Sequence, residues 1–290
     1  MTTGGRLEYY RRGDLTFEVI DIGPADGTPV VFLHGFPQFN SSWAPVMEQL
    51  DAQGYRCLAP NQRGYSPGAR PPRRRDYVVE ELVADVVALI DAIGAEEVHL
   101  VGHDWGAMVA WATAAVAPER LATLTTLSVP HPAAFFKALA TSRQILASWY
   151  MYFFQLPAVP EWFYSRAGGK HMAWFLGEYA GQSPDAAHRD VARILETDSL
   201  RTTLNWYRAV PLANPFRFTA PTTVPTLHIW SDGDKALLEK AARDTGNYVA
   251  AEYRFEILRG ASHWIPDECA NEVSELLTNW FAKHPIRVDR

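Results

Sequence analysis

The spacing of apolar residues along this chain changes character several times, and each change marks an element. Leu7 to Arg11 and Leu15 to Asp21 read as strands, with Arg12-Gly13-Asp14 as the turn between them, which predicts an antiparallel start. Pro29-Val30-Val31-Phe32-Leu33 is a continuous apolar run, the pattern of a strand buried on both faces of a parallel sheet. Helix-like and strand-like segments then alternate over Ser41 to Gln53, Arg56 to Ala59, Val79 to Ile93, Glu97 to Val101, Trp105 to Ala115 and Leu121 to Ser128. That alternation predicts a doubly wound α/β core.

From His131 to about Thr219 the alternation stops, and the chain becomes aromatic-rich and helical in pattern, interrupted by Pro157, Pro160 and Gly168-Gly169. Core grammar resumes with a strand at Val224 to Trp230, a helix at Leu237 to Val249, a strand at Tyr253 to Leu258 and a helix at Glu268 to Lys283. The expected architecture is therefore α/β: a mostly parallel sheet with helices on both faces, made of residues 1–130 and 219–290, with residues 131–218 inserted as a helical cap. Such a sheet forms its crevice at the carboxyl ends of its strands, so chemistry is sought on the loops there.

Composition changes this picture little. With 48% hydrophobic and 21% charged residues in 290, the chain is ordinary globular protein, and a net charge of −6 supplies no basic footprint for nucleic acid or an anionic membrane. Pro71-Pro72-Arg73-Arg74-Arg75 reads as a solvated loop. The two cysteines, Cys57 and Cys269, are too few for a disulfide framework and are expected to be buried small hydrophobes of a reducing compartment. No apolar leader or membrane-length run is evident, so a cytoplasmic protein is expected, as a monomer or a homodimer.

The chemistry begins at Val101-Gly102-His103-Asp104-Trp105-Gly106, which follows a strand pattern and precedes a helical one. Small residue, any residue, nucleophile, any residue, glycine is the form of a nucleophile elbow, a sharp strand-to-helix turn that thrusts its central side chain outward. Most such elbows carry serine, which attacks carbonyl carbon. A carboxylate suits saturated electrophilic carbon, giving an alkyl ester that water must then hydrolyse. Epoxides or alkyl halides are the substrates this implies. The competing reading of Asp104 is a helix N-cap.

Two further loops supply partners. The strand at Val224 to Trp230 ends in Ser231-Asp232-Gly233-Asp234, and Tyr253 to Leu258 ends in Arg259-Gly260-Ala261-Ser262-His263-Trp264. Asp104, Asp234 and His263 then follow one another as nucleophile, acid and base, the chain order of α/β-hydrolases. His263 would remove a proton from water, and the second carboxylate would orient its ring. Asp232 shares the loop with Asp234 and reads equally as a turn former beside Gly233; Asp234 is favoured as the acid. His34-Gly35-Phe36-Pro37-Gln38 follows the buried strand, so the N–H groups of Phe36 and Trp105 are the expected oxyanion hole.

With its His-Gly-Phe-Pro and Gly-His-Asp-Trp-Gly segments, the chain resembles the α/β-hydrolase-fold epoxide hydrolases over nearly its whole length. The resemblance extends to Trp149-Tyr150-Met151-Tyr152-Phe153-Phe154-Gln155-Leu156-Pro157 and Leu204-Asn205-Trp206-Tyr207-Arg208. It implies that Tyr150, with Tyr152 as the alternative, and Tyr207 bind the epoxide oxygen and donate to it as the ring opens. A phenol with a pKa of about 10 remains a donor at neutral pH. The activity implied is hydrolysis of an apolar epoxide to a vicinal diol without metal or organic cofactor. The principal alternative is a haloalkane or haloacetate dehalogenase using the same nucleophile, although Phe36 replaces the halide-binding Asn of many such enzymes and Trp105 the Arg typical of fluoroacetate dehalogenases. A ligand-binding protein that has lost activity is a further alternative, and Asp104 disfavours a serine esterase.

Overall fold

The computed structural model describes residues 5–214 and 216–286. Eight strands form one sheet in the order β1-β2-β4-β3-β5-β6-β7-β8. They are β1 (Tyr9–Arg12), β2 (Leu15–Ile22), β3 (Thr28–Leu33), β4 (Tyr55–Pro60), β5 (Val98–His103), β6 (Leu121–Leu127), β7 (Thr226–Ser231) and β8 (Tyr253–Leu258). The β1–β2 and β2–β4 pairs are antiparallel and every other pair is parallel, with β3 and β5 central.

The run Val30 to Leu33 explains the two-sided core, because successive side chains of a strand point to opposite faces. Val31 and Leu33 join a cluster with α2 (Val79–Ala92) and α3 (Trp105–Val116), whereas Val30 and Phe32 join one with α1 (Ala44–Asp51) and the C-terminal helix Ala270–Lys283. Both faces are thereby covered, which is why the run contains no polar residue to face water.

Several boundaries differ from those the sequence predicts. The first strand starts at Tyr9, because the Leu7 N–H donates to Asp21 Oδ2 (2.8 Å) instead of joining a ladder. Ser41 to Gln53 divides into a 3₁₀ turn, Asn40–Trp43, and α1, with Pro45 in its first turn. The helix expected over Leu237 to Val249 shrinks to Glu239–Asp244 followed by a 3₁₀ turn, Thr245–Tyr248. Its start is lost because the N–H groups of Ala236 and Leu237 donate to Asp234 Oδ1, holding the chain out of helical register. Cys57 is buried as expected, but Cys269 is only half-buried, at the break before the last helix.

Between β6 and β7 the chain makes a helical excursion. Its main members are Pro132–Thr141, Trp149–Phe153, Val159–Ser165, Pro184–Glu196 and Leu200–Ala209. The Trp206 indole donates to the Arg63 carbonyl at 2.7 Å, tying the last of these helices to the loop after β4. No helix among the described residues is long and apolar enough to cross a membrane.

Candidate active site

The turn between β5 and α3 carries Asp104 at φ 50° and ψ −124°, a left-handed conformation that favours glycine. Two glycines make this turn possible by close approach. A Cβ on Gly106 would lie 2.1 Å from the Leu33 carbonyl oxygen, and one on Gly35 would lie 2.3 Å from the Asp104 Cβ. The backbones of the elbow and of the loop after β3 therefore touch directly.

The Asp104 side chain makes no capping bond to α3. Its Oδ1 accepts the Phe36 N–H at 2.8 Å, and the Trp105 N–H also bonds the carboxylate. Burial works against ionisation here, but the bond to and charge of His263, together with the Trp105 amide, outweigh it and hold the Asp104 carboxyl below its usual range. The two predicted oxyanion donors thus both already bond this carboxylate.

His263 and Asp234 complete the line. His263 Nδ1 donates to Asp234 Oδ2 at 2.8 Å, and His263 Nε2 stands 3.5 Å from Asp104 Oδ2. Asp234 Oδ1 accepts two backbone N–H groups, at 2.8 and 2.9 Å, so its carboxylate is fully engaged although its side chain is buried. Burial depresses the His263 pKa, but the Asp234 charge and the bonds to both carboxylates raise it further, to about 10. Asp232 lies apart: it accepts the Gly260 N–H at 2.7 Å and faces Arg259, which is the work of a turn former.

The two tyrosine-bearing segments meet over this line. Tyr150 and Tyr207 share a cavity with Asp104, their rings 6.1 Å apart and edge-on, while Tyr152 is 61% exposed. Burial, with the Asp104 charge second, raises both phenol pKa values well above 10, so both remain protonated donors at neutral pH. Apart from Asn214, the remaining cavity wall is apolar, including Met108, Val129, Pro130, Phe135, Val210 and Leu237, and among the described residues no Lys, Arg or His lines it.

Several positioning residues escaped the sequence reading. Arg208 donates to the carbonyls of Phe154 (3.0 Å) and Leu156 (2.8 Å) and forms a two-bond ion pair with Glu161, while Gln155 donates to the Tyr207 carbonyl (2.8 Å). The two tyrosine helices are thereby clamped together. His103 Nε2 and Ser128 Oγ both donate to the His263 carbonyl, at 2.8 and 3.2 Å, fixing the backbone of the histidine. These contacts span 47 to 160 positions of sequence, and no local motif announces them. His34, His99 and His228 serve buried hydrogen bonding.

Comparison with known proteins agrees with this geometry. Residues 28–269 match the family described as alpha/beta hydrolase fold. The AB hydrolase superfamily protein YfhM of Bacillus subtilis (strain 168) is 32% identical over 96% of this chain and 98% of its own. Epoxide hydrolase 2 of Caenorhabditis elegans is 32% identical over 88% of this chain and 74% of its own. The crystal structure of Epoxide Hydrolase A from Mycobacterium thermoresistibile superposes with a TM-score of 0.82 at 26% identity, covering 98% of this chain and 100% of that one. The chain belongs to the α/β-hydrolase-fold family, within its epoxide hydrolase branch.

Proposed function

We propose that this protein hydrolyses an apolar epoxide to a vicinal diol through an ester on Asp104. The observation that carries the reading is the meeting of the Asp104 carboxylate with the phenols of Tyr150 and Tyr207 in one apolar cavity. Asp104 Oδ2, the oxygen not engaged by Phe36, attacks a ring carbon. The C–O bond of the ring breaks, and a phenol proton passes to the leaving oxygen while the second phenol donates a hydrogen bond. An alkoxide leaves poorly without such donors, and each acts in a dry site where its dipole is least screened.

Esterification neutralises Asp104, which removes one of the two carboxylates that hold the His263 proton. The imidazolium becomes more acidic and restores the phenol, leaving neutral His263 as general base. Water then attacks the Asp104 carbonyl carbon and gives its proton to His263. Negative charge collects on Oδ1, which accepts the Phe36 N–H, with the Trp105 N–H also bonded to the carboxylate. Collapse breaks the bond to Oδ2, and the diol departs with the His263 proton, carrying an oxygen that began on the enzyme. The helical excursion acts as a cap that brings the two phenols over the nucleophile.

A dehalogenase would use the same nucleophile, but a halide needs no proton donor and gives the two phenols no task. A haloacetate would need a cation for its carboxylate, and the cavity wall supplies none. The deciding experiment is one turnover with excess enzyme in ¹⁸O-water. Unlabelled diol, with the isotope retained on Asp104 by mass spectrometry, is expected; label directly in the diol would overturn the ester mechanism.

A further inference from the structure

Resting on the epoxide reading above, we propose that the site is one-sided: it takes epoxides with an apolar substituent on one ring carbon and nothing larger than hydrogen on the other. An epoxide whose oxygen is bound by both phenols and whose carbon faces Asp104 points the substituents of its two carbons in opposite directions. The surroundings of the phenols are not alike in those two directions.

On one side lies the cavity. Beyond Asp104 it runs between the loop after β6 (Val129, Pro130), the first helix of the excursion (Phe135) and the return segment (Val210, Phe218). Asn214 aside, its described lining is apolar and free of cations, so a neutral hydrocarbon or aryl group fits there.

The flank of the phenols that does not border the cavity is already filled. The Phe154 ring lies 4.8 Å from that of Tyr207, 5.7 Å from Tyr150 and 5.6 Å from Phe36, centroid to centroid. Phe175 stands behind it, 6.2 Å from Phe154 and 5.8 Å from Tyr150. Phe36, Phe154 and Phe175 are all buried, none of them borders the cavity, and Phe154 has no accessible surface at all. Rings packed at these separations leave no room for a methyl group without displacing one of them. Phe154 is fixed in place as well, because Arg208 donates to its carbonyl at 3.0 Å. The plug and the clamp of the tyrosine pair are thus one structure.

The test compares kcat/KM of the intact protein for styrene oxide, trans-β-methylstyrene oxide and trans-stilbene oxide. Adding a substituent to the second ring carbon should lower kcat/KM on the order of a hundredfold. Comparable values for all three would overturn the proposal while leaving the epoxide reading in place. Diol from none of these or from a simple alkyl epoxide would instead sink the reading and the proposal with it. Phe154→Ala should raise the disubstituted-to-terminal ratio by about tenfold or more. Phe175→Leu, a milder change of the same wall, should move the ratio the same way if the first variant fails to fold. Val210→Trp, on the open side, should penalise styrene oxide more than propylene oxide, and a reversed order would count against the assignment.

Discussion

His263 Nε2 and Asp104 Oδ2 face each other across 3.5 Å, while the opposite ring nitrogen of His263 is bonded to Asp234 at 2.8 Å. His263 is therefore bonded tightly to Asp234 and more loosely to Asp104, and in the proposed mechanism its Nε2 turns to a water molecule once Asp104 is esterified. His263→Gln keeps the bulk and removes the base. After exposure to an accepted epoxide it should carry an adduct of the substrate's mass, read by intact mass spectrometry; an adduct-free protein would count against this role.

The two phenols should act on the first step alone. Tyr207→Phe or Tyr150→Phe should slow ring opening on the order of a hundredfold or more, the scale of a lost proton donor or transition-state hydrogen bond, and spare ester hydrolysis. Pre-steady-state tryptophan fluorescence separates the two steps. Tyr152→Phe should change neither, since Tyr152 points largely to solvent.

Arg208 touches no cavity surface, yet it joins both tyrosine helices. Arg208→Ala should cost about 2 kcal/mol of stability, a typical loss for charge-assisted bonds, and should lower the rate of ring opening. Arg208→Lys should restore little, because one ammonium cannot replace a guanidinium that spans two carbonyls and a carboxylate. Thermal denaturation and single-turnover rates measured together distinguish misplacement of the phenols from simple unfolding.

Gly35→Ala tests the contact between the oxyanion loop and the elbow. Its Cβ would fall 2.3 Å from that of Asp104, so one backbone must retreat and the 2.8 Å bond from Phe36 must lengthen. Ester hydrolysis should fall about a hundredfold or more, the usual consequence of losing an oxyanion donor.

The histidines set a pH optimum for stability. Burial, outweighing the other contributions, lowers His34, His99 and His228 to about 3 and His103 and His131 to about 4. Unfolding lets them take up protons near pH 6.5, so their contribution is full above that value and is lost as pH falls towards 3. His263 has the opposite sign. Its folded pKa of about 10 lies above the unfolded value, so its contribution is full below pH 6.5 and is lost as pH rises through 10. Tm should therefore peak near pH 6.5 and decline on both sides, with the alkaline decline reduced in His263→Gln. An unchanged alkaline limb in that variant would contradict the assignment.

Local pattern was enough for the sheet and for the order of its partners. Val30 to Leu33 had to be buried on both faces because no residue in the run tolerates water, and the elbow had to turn where Gly106 allows the backbone against Leu33. Chain order singled out the loops bearing Asp234 and His263, whose side chains the fold brings together. Tertiary structure alone decided between neighbours of equal chemistry: Asp234 over Asp232 as the partner of His263, because only Asp234 reaches the imidazole, and Tyr150 over Tyr152 as the cavity phenol, because a two-residue step along a helix turns the side chain by about 200°. It alone also joined Arg208 to Phe154 and walled one side of the phenols with Phe36, Phe154 and Phe175. Those contacts depend on distances between segments far apart in sequence, which a one-dimensional pattern does not encode.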